Sequence, residues 1–190
     1  MKDRLRLLGV AVAIGTLAFA TAASAGQIFG EKFLEEDTFP EEDFCGEVGL
    51  DVTWDVTREG HAHAVSRGRE KLPYFGFTLK ATEVVTNDAN DHFVVAISRI
   101  ADKDLRVTDN GNGTFTLLIL TTGNSVLYDE DGNVLARNPG QVRVEILIDN
   151  GGTPTGPSDD EFLEFLGIVK DSTGRTDDFC EAALPELLGS

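Results

Sequence analysis

Residues 48–57 read Val-Gly-Leu-Asp-Val-Thr-Trp-Asp-Val-Thr. Val48, Leu50, Val52, Trp54 and Val56 take every second position, with Gly49, Asp51, Thr53, Asp55 and Thr57 between them. Successive strand side chains point to opposite faces, so this is the pattern of a strand buried on one side and wet on the other. Outward from it the same period returns. Phe75, Phe77, Leu79 and Ala81 alternate with Gly76, Thr78, Lys80 and Thr82. Phe93, Val95 and Ile97 follow, then Leu105 and Val107, then Phe115, Leu117 and Ile119. Val126-Leu127-Tyr128 and Val134-Leu135-Ala136 flank Asp129-Glu130-Asp131-Gly132-Asn133, a hairpin signal. Val142, Val144, Ile146 and Ile148 alternate again, and a Gly/Pro/Thr loop at 150–158 precedes a last strand near Glu161–Lys170.

Strands in such number with short connections pair with their chain neighbours. The expected fold is all-β: an antiparallel meander of about eight to ten strands closing into a barrel, which removes exposed edges. A two-sheet β-sandwich is the alternative. Asp178 with Glu181 three residues on marks the start of a short C-terminal helix. Pro185 is expected to limit that helix, because its ring disturbs the preceding turn.

Two cysteines, Cys45 and Cys180, stand near the two ends of this pattern. An even pair in an exported chain forms a bridge, and closing so long a loop contributes about 4–5 kcal/mol in the chain-entropy picture. No C-x-x-C and no adjacent His or Lys points to redox chemistry instead.

Export is read from the first residues. Lys2, Arg4 and Arg6 precede an apolar run from Leu7 to about Ala20, which ends in Ala23-Ser24-Ala25. This is the charge, length and cleavage pattern of a secretory signal peptide. The organisation expected is therefore a signal at 1–25, an acidic leader at 26–44 and a single β domain at 45–190. Six acids crowd the leader around Phe39-Pro40, and Phe29, Phe33, Phe39 and Phe44 are available to dock it on the domain. No later segment is apolar for long enough to span a membrane, so the expected location is extracellular.

The chain carries a net charge of −17. The signal holds three of the 16 basic and one of the 33 acidic residues, so its removal leaves −19. Phosphate backbones repel such a surface, and nucleic acid is not an expected partner. Catalytic signatures are missing: there is no G-x-S-x-G, and Gly111-x-Gly113 lacks the third glycine of a dinucleotide fingerprint. No cofactor is expected. Asp129-x-Asp131-Gly132 lacks a calcium loop's glutamate at position twelve and reads as a turn. His61-Ala62-His63 places two imidazoles on one strand face, where His92 or Glu70 could complete a zinc or copper site. With only two ligands assured, no tight metal site is expected.

Three short motifs carry a resemblance. Cys45-Gly46 opens the first strand, an acidic turn from Asp129 to Gly132 precedes Val134-Leu135, and Asp178-Phe179-Cys180 closes the chain. In these the chain resembles small secreted bacterial β-proteins of unknown function. In outline alone the meander resembles lipocalin-like and allene-oxide-cyclase-like barrels. Gly49 and Trp54 are too far apart for the Gly-x-Trp of lipocalins.

The expected function is a non-enzymatic extracellular barrel that binds an apolar small molecule or a protein partner. Trp54, Phe75, Phe77, Phe93 and Phe115 are the candidate cavity lining. A cyclase- or isomerase-type enzyme working in the barrel cavity is the rival, and a structural or envelope-associated protein without ligand is the third possibility. Secreted protein is expected to start at Gly26 by intact mass. Extracellular material that retains Met1 would contradict the signal assignment.

Overall fold

The computed structural model describes residues 26–189; the expected signal segment, residues 1–25, lies outside them. The described chain forms one antiparallel meander of seven strands. They are β1 (Gln27–Glu41), β2 (Val52–Arg67), β3 (Leu72–Asn87), β4 (Phe93–Asp109), β5 (Thr114–Tyr128), β6 (Val134–Asp149) and β7 (Glu161–Lys170). A single helix, α1 (Phe179–Leu188), follows. Each strand pairs with the next in chain order, and β1 and β7 are the two edges.

The expected barrel closure is absent: β1 and β7 do not pair, and the sheet is open. The sandwich alternative fails too, because all seven strands belong to one sheet. The count of eight to ten strands was too high because polar and glycine positions that read as breaks are carried through by the ladder. Phe93–Ile97 and Leu105–Val107 are halves of β4, joined across a bulge at Leu105. Phe115–Ile119 and Val126–Tyr128 are one strand, β5, running through Gly123 and Asn124. Residues 27–41, within the acidic leader, pair along their whole length with β2.

The register sets which residues share a face. Val52 stands opposite Asn87 and Trp54 opposite Val85; Val85 and Val94 are neighbours, as are Ala96 and Leu127, and Leu127 and Ala136. This Val52 face is buried at one end under α1, whose Ala183 and Leu187 pack on Leu50, Val52, Val85, Val94, Ala96, Leu127 and Ala136. A second cluster, Val107, Phe115, Leu117 and Ile148, lies at the far ends of β4 and β6 and the start of β5. The other face carries Lys32, Glu59, His61, Thr78, Lys80 and Arg99.

Three devices hold α1 in place. The Asp178 side chain accepts a hydrogen bond from the Glu181 N–H at 3.0 Å, capping the first turn as the sequence suggests. At the other end Asn87 and Asn90 each donate a side-chain N–H to the Leu187 carbonyl, both at 2.9 Å. Pro185 does not stop the helix, which continues to Leu188 and ends at Gly189 in the left-handed region (φ 69°). Pro185 forgoes one helical bond, to the Glu181 carbonyl in the first turn, and the Gly189 N–H closes the turn after it on the Pro185 and Glu186 carbonyls. The third device is covalent: Cys45 and Cys180 are bonded, with Cα atoms 5.5 Å apart. The bond ties a 3-10 turn at Phe44–Gly46 to the first turn of α1.

The bridge joins the start of β2 to the helix that covers it, so its loss frees both. Replacing Cys45 and Cys180 with Ser is expected to cost about 2–4 kcal/mol. The melting temperature should fall by roughly 5–15 °C while the far-ultraviolet β signature survives. An unchanged melting temperature would show that the bridge contributes nothing to stability.

Candidate functional site

The middle of β2 is built of small residues, Gly60, Ala62 and Ala64. Low side chains there let the aromatic rings of β1 reach across to β3 on the Val52 face. Phe33 stacks on Phe77 with centroids 5.5 Å apart, and Phe29 meets Phe75 at 5.8 Å. Nearer α1, Phe39 stacks on Trp54 at 6.0 Å and Phe44 meets the same indole edge-on at 5.9 Å. The indole N–H donates to Glu41 at 2.9 Å. The five aromatic residues singled out from sequence are therefore dispersed. Phe75 and Phe77 share one patch, Trp54 belongs to the helix end, Phe115 is fully buried in the second cluster, and Phe93 stands on the opposite face.

Beside Phe75 and Phe77 lie two carboxylates. Phe77 is the cross-strand neighbour of Asp102, and Asp104 follows two residues along β4. The bulge after Asp104 interrupts regular pairing, and the Asp104 carboxylate accepts the Phe75 backbone N–H at 2.8 Å. Burial pushes the Asp104 carboxyl up to about 6; the Phe75 N–H and Arg67 work against that, and Asp102 adds to it. Burial also raises Asp102, opposed by a hydrogen bond from Thr121, and Asp102 Oδ1 is enclosed without a partner. Neither carboxylate was singled out from sequence. The available signal was Asp102-Lys103-Asp104, whose acids share a face with Ile100 and Ala96 by period two.

The opposite face holds a groove. It crosses β1 to β5 with a volume of about 610 Å³. Strand alternation sorts its lining into two walls and a floor. Lys32, Thr78, Ala101 and Thr122 form one transverse row and Glu59, Lys80 and Arg99 the next. Between them runs the row Phe33, Gly60, Leu79, Ile100 and Gly123, which presents backbone to the groove. Two of those five positions are glycine for a steric reason. A Cβ on Gly123 would lie 2.7 Å from the Arg99 carbonyl oxygen, and one on Gly60 would overlap the Thr78 carbonyl and the Phe33 ring.

The charge of this groove is opposite to that of the chain. Lys80 pairs with Glu59 at 2.8 Å, and that hydrogen bond holds the Glu59 carboxyl below its ordinary value. Lys32 and Arg99 have no ion-pair partner among the described residues. The groove thus offers two cations without an ion-pair partner among the described residues, set over a backbone floor, with the aliphatic stems of Lys32, Lys80 and Arg99 and the Ala101 methyl as its apolar surface. The Thr78 and Thr122 hydroxyls donate to the His61 and Ala101 carbonyls.

His61 and His63 share a face, with rings stacked 5.3 Å apart. His63 lies over Gly76, where a Cβ would overlap its ring. The third ligands considered from sequence are elsewhere. His92 bonds Glu130 through Nδ1 at 2.8 Å, and Glu70 sits in the turn between β2 and β3. Among the described residues no group of three could hold a metal ion. The Asp129 turn is closed on itself, with Asp129 accepting from the Asn133 backbone at 2.7 Å and its side chain at 2.8 Å. No helix of the described residues is long and apolar enough to cross a membrane.

No family model, curated protein or solved structure matches the chain.

Asp104 keeps its proton to higher pH when folded than when unfolded. Between about pH 4 and pH 6 the folded state carries the extra proton, so the stability this group contributes falls as pH rises through that window. Asp104→Asn keeps an acceptor for the Phe75 N–H and removes the titration. The variant is expected to gain stability relative to the parent on going from pH 4 to pH 7, read as the difference in urea midpoints. A difference independent of pH would refute the assignment.

Proposed function

We propose that this chain is an extracellular, non-catalytic binding protein, and that its ligand is a small molecule with an apolar body and an anionic group. The observation that carries this reading is the groove of about 610 Å³ with Lys32 and Arg99 unpaired on its walls. Small-molecule sites fall in the range of about 300–1,000 Å³ and combine apolar lining with a few placed polar groups. A chain of net charge −17 repels anions at long range. Lys32 and Arg99 provide a local exception, and their aliphatic stems and Ala101 give the apolar surface. The Thr78 and Thr122 hydroxyls, which donate to the His61 and Ala101 carbonyls, keep lone pairs to accept from a ligand.

A second reading has its own observation. Asp102 and Asp104 are carboxylates held against the Phe75–Phe77 patch with raised proton affinity, Asp104 up to about 6, and a carboxylic acid that keeps its proton into mildly acidic solution can serve as a general acid. This supports a cyclase- or isomerase-type enzyme working on the Val52 face. Asp104 spends one oxygen on the Phe75 N–H, which is a structural use of the group, so the binding reading is preferred.

The fluorescent anion 8-anilinonaphthalene-1-sulfonate tests the groove. The parent chain should bind it saturably, more weakly as salt is added. The double variant Lys32→Glu/Arg99→Glu should bind at least about tenfold more weakly, as expected for the loss of charge-assisted contacts. Equal affinity in parent and variant would exclude the groove as the site.

A further inference from the structure

The last strand has a period of its own. Residues 161–170 read Glu-Phe-Leu-Glu-Phe-Leu-Gly-Ile-Val-Lys, three triplets and a terminal lysine. Its pairing with β6 follows the triplets. Glu161 and Phe162 pair with Asp149 and Ile148, Glu164 and Phe165 with Leu147 and Ile146, and Gly167 and Ile168 with Glu145 and Val144. Leu163, Leu166 and Val169 have no ladder partner, and each marks a register shift. A bulge in every triplet bends the strand and interrupts the outer edge for ordinary ladder pairing. It also leaves apolar side chains uncovered. Phe162, Leu163, Phe165, Leu166, Ile168 and Val169 are between 45% and 59% exposed, an apolar run broken by Glu164 and Gly167, of the kind that marks an interaction surface.

The charges at the ends of this strand are mismatched within the chain. Glu161 stands opposite Asp149, and Lys170 stands opposite Arg143, whose Nε is enclosed without a partner. Like charges directly opposite each other on a sheet are unfavourable. A partner that brings a cation to the first end and an anion to the second would relieve both.

We propose that the occupant of this edge is a second copy of the same chain, packed antiparallel along β7 about a two-fold axis between Phe165 and Leu166. In that register Glu161 faces the partner's Lys170, Phe162 faces the partner's Val169, and Leu163 faces the partner's Ile168. Glu164 faces the partner's Gly167, the one position with no side chain to oppose it, and Phe165 faces the partner's Leu166. Sliding the copies by one residue sets Glu164 against an apolar residue. The acidic Asp149–Glu161 end meets the basic Arg143–Lys170 end twice, as the symmetry of an isologous interface requires. Head-to-tail packing of β7 on β1 is disfavoured, because β1 offers Glu31, Glu35, Glu36, Asp37 and Glu41 to an edge that already carries Glu161 and Glu164. This interface is separate from the groove, which draws nothing from β6 or β7.

Sedimentation equilibrium of the mature chain, up to about 100 µM, tests the proposal. The parent should form dimers. Lys170→Glu sets like charges at both ends of the interface and should weaken association at least about tenfold. Within one chain the same substitution places a carboxylate opposite Arg143, which favours folding. The exchange Glu161→Lys/Lys170→Glu should restore association, because residues 161 and 170 lie at opposite ends of β7 and meet only across two chains. A parent that stays monomeric throughout, or a dimer indifferent to Lys170→Glu, would overturn the proposal. So would a charge exchange that fails to restore association in a variant shown to be folded by circular dichroism.

Discussion

A single layer of sheet has two faces to manage, and the described residues supply one ten-residue helix with which to cover them. That shortage is the constraint on which the remaining structure depends. Where α1 lies on the sheet, burial is conventional: Val52, Val94 and Leu187 are sealed, and a disulfide and two asparagine side chains fix the helix there. Beyond the helix the sheet covers itself. Small residues in β2 let rings from β1 lie across to β3, so that an edge strand acts as a partial second layer. Aromatic pairs at these separations add modestly to the area they bury.

The same shortage explains the polar groups. Glu83, Asp102 and Asp104 lie on the Val52 face, Glu83 beside Ala96 and the two aspartates farther from α1, and burial raises all three. A fully apolar face left uncovered would attract other chains; a face that mixes aromatics with carboxylates is less adhesive, at some cost in stability. Ser98 and Ser125 satisfy each other there at 2.7 Å. On the opposite face cations gather where the chain as a whole is acidic, and glycines at Gly60 and Gly123 allow the backbone approach from which the groove is shaped.

The two edges are protected by different means. β1 carries acids at short intervals and Pro40 near its end, which discourage pairing by charge and by loss of a donor. Part of β6 extends past β7, and there Asp177 accepts the Arg137 N–H at 2.9 Å while its own N–H donates to the Arg137 carbonyl at 3.3 Å. β7 depends on bulges, which disrupt the ladder but hide none of its apolar residues.

Much of the fold was legible without coordinates. Period-two alternation identifies β2, β3 and β6 because burial of one face forces it, and the Asp109–Gly113 and Asp129–Asn133 turns follow from their own side-chain chemistry. Two cysteines leave a single intrachain pairing, and Asp178 with Glu181 marks the helix start. The strand in the acidic stretch was hidden because the acids beside Phe29, Phe33 and Phe39 reflect an edge exposed to water, which composition alone does not distinguish from a disordered leader. Closure was overestimated because whether the first and last strands meet depends on sheet curvature and bulges, not on the alternation of any one strand. The groove was invisible for a related reason. Lys32 and Lys80 are 48 residues apart in sequence and Lys80 and Arg99 19, and only the register of three strand pairs, β1 with β2, β2 with β3 and β3 with β4, brings them together. Alternation along a strand is a local consequence of backbone geometry, whereas a row across strands exists only once every pairing in the sheet has been made.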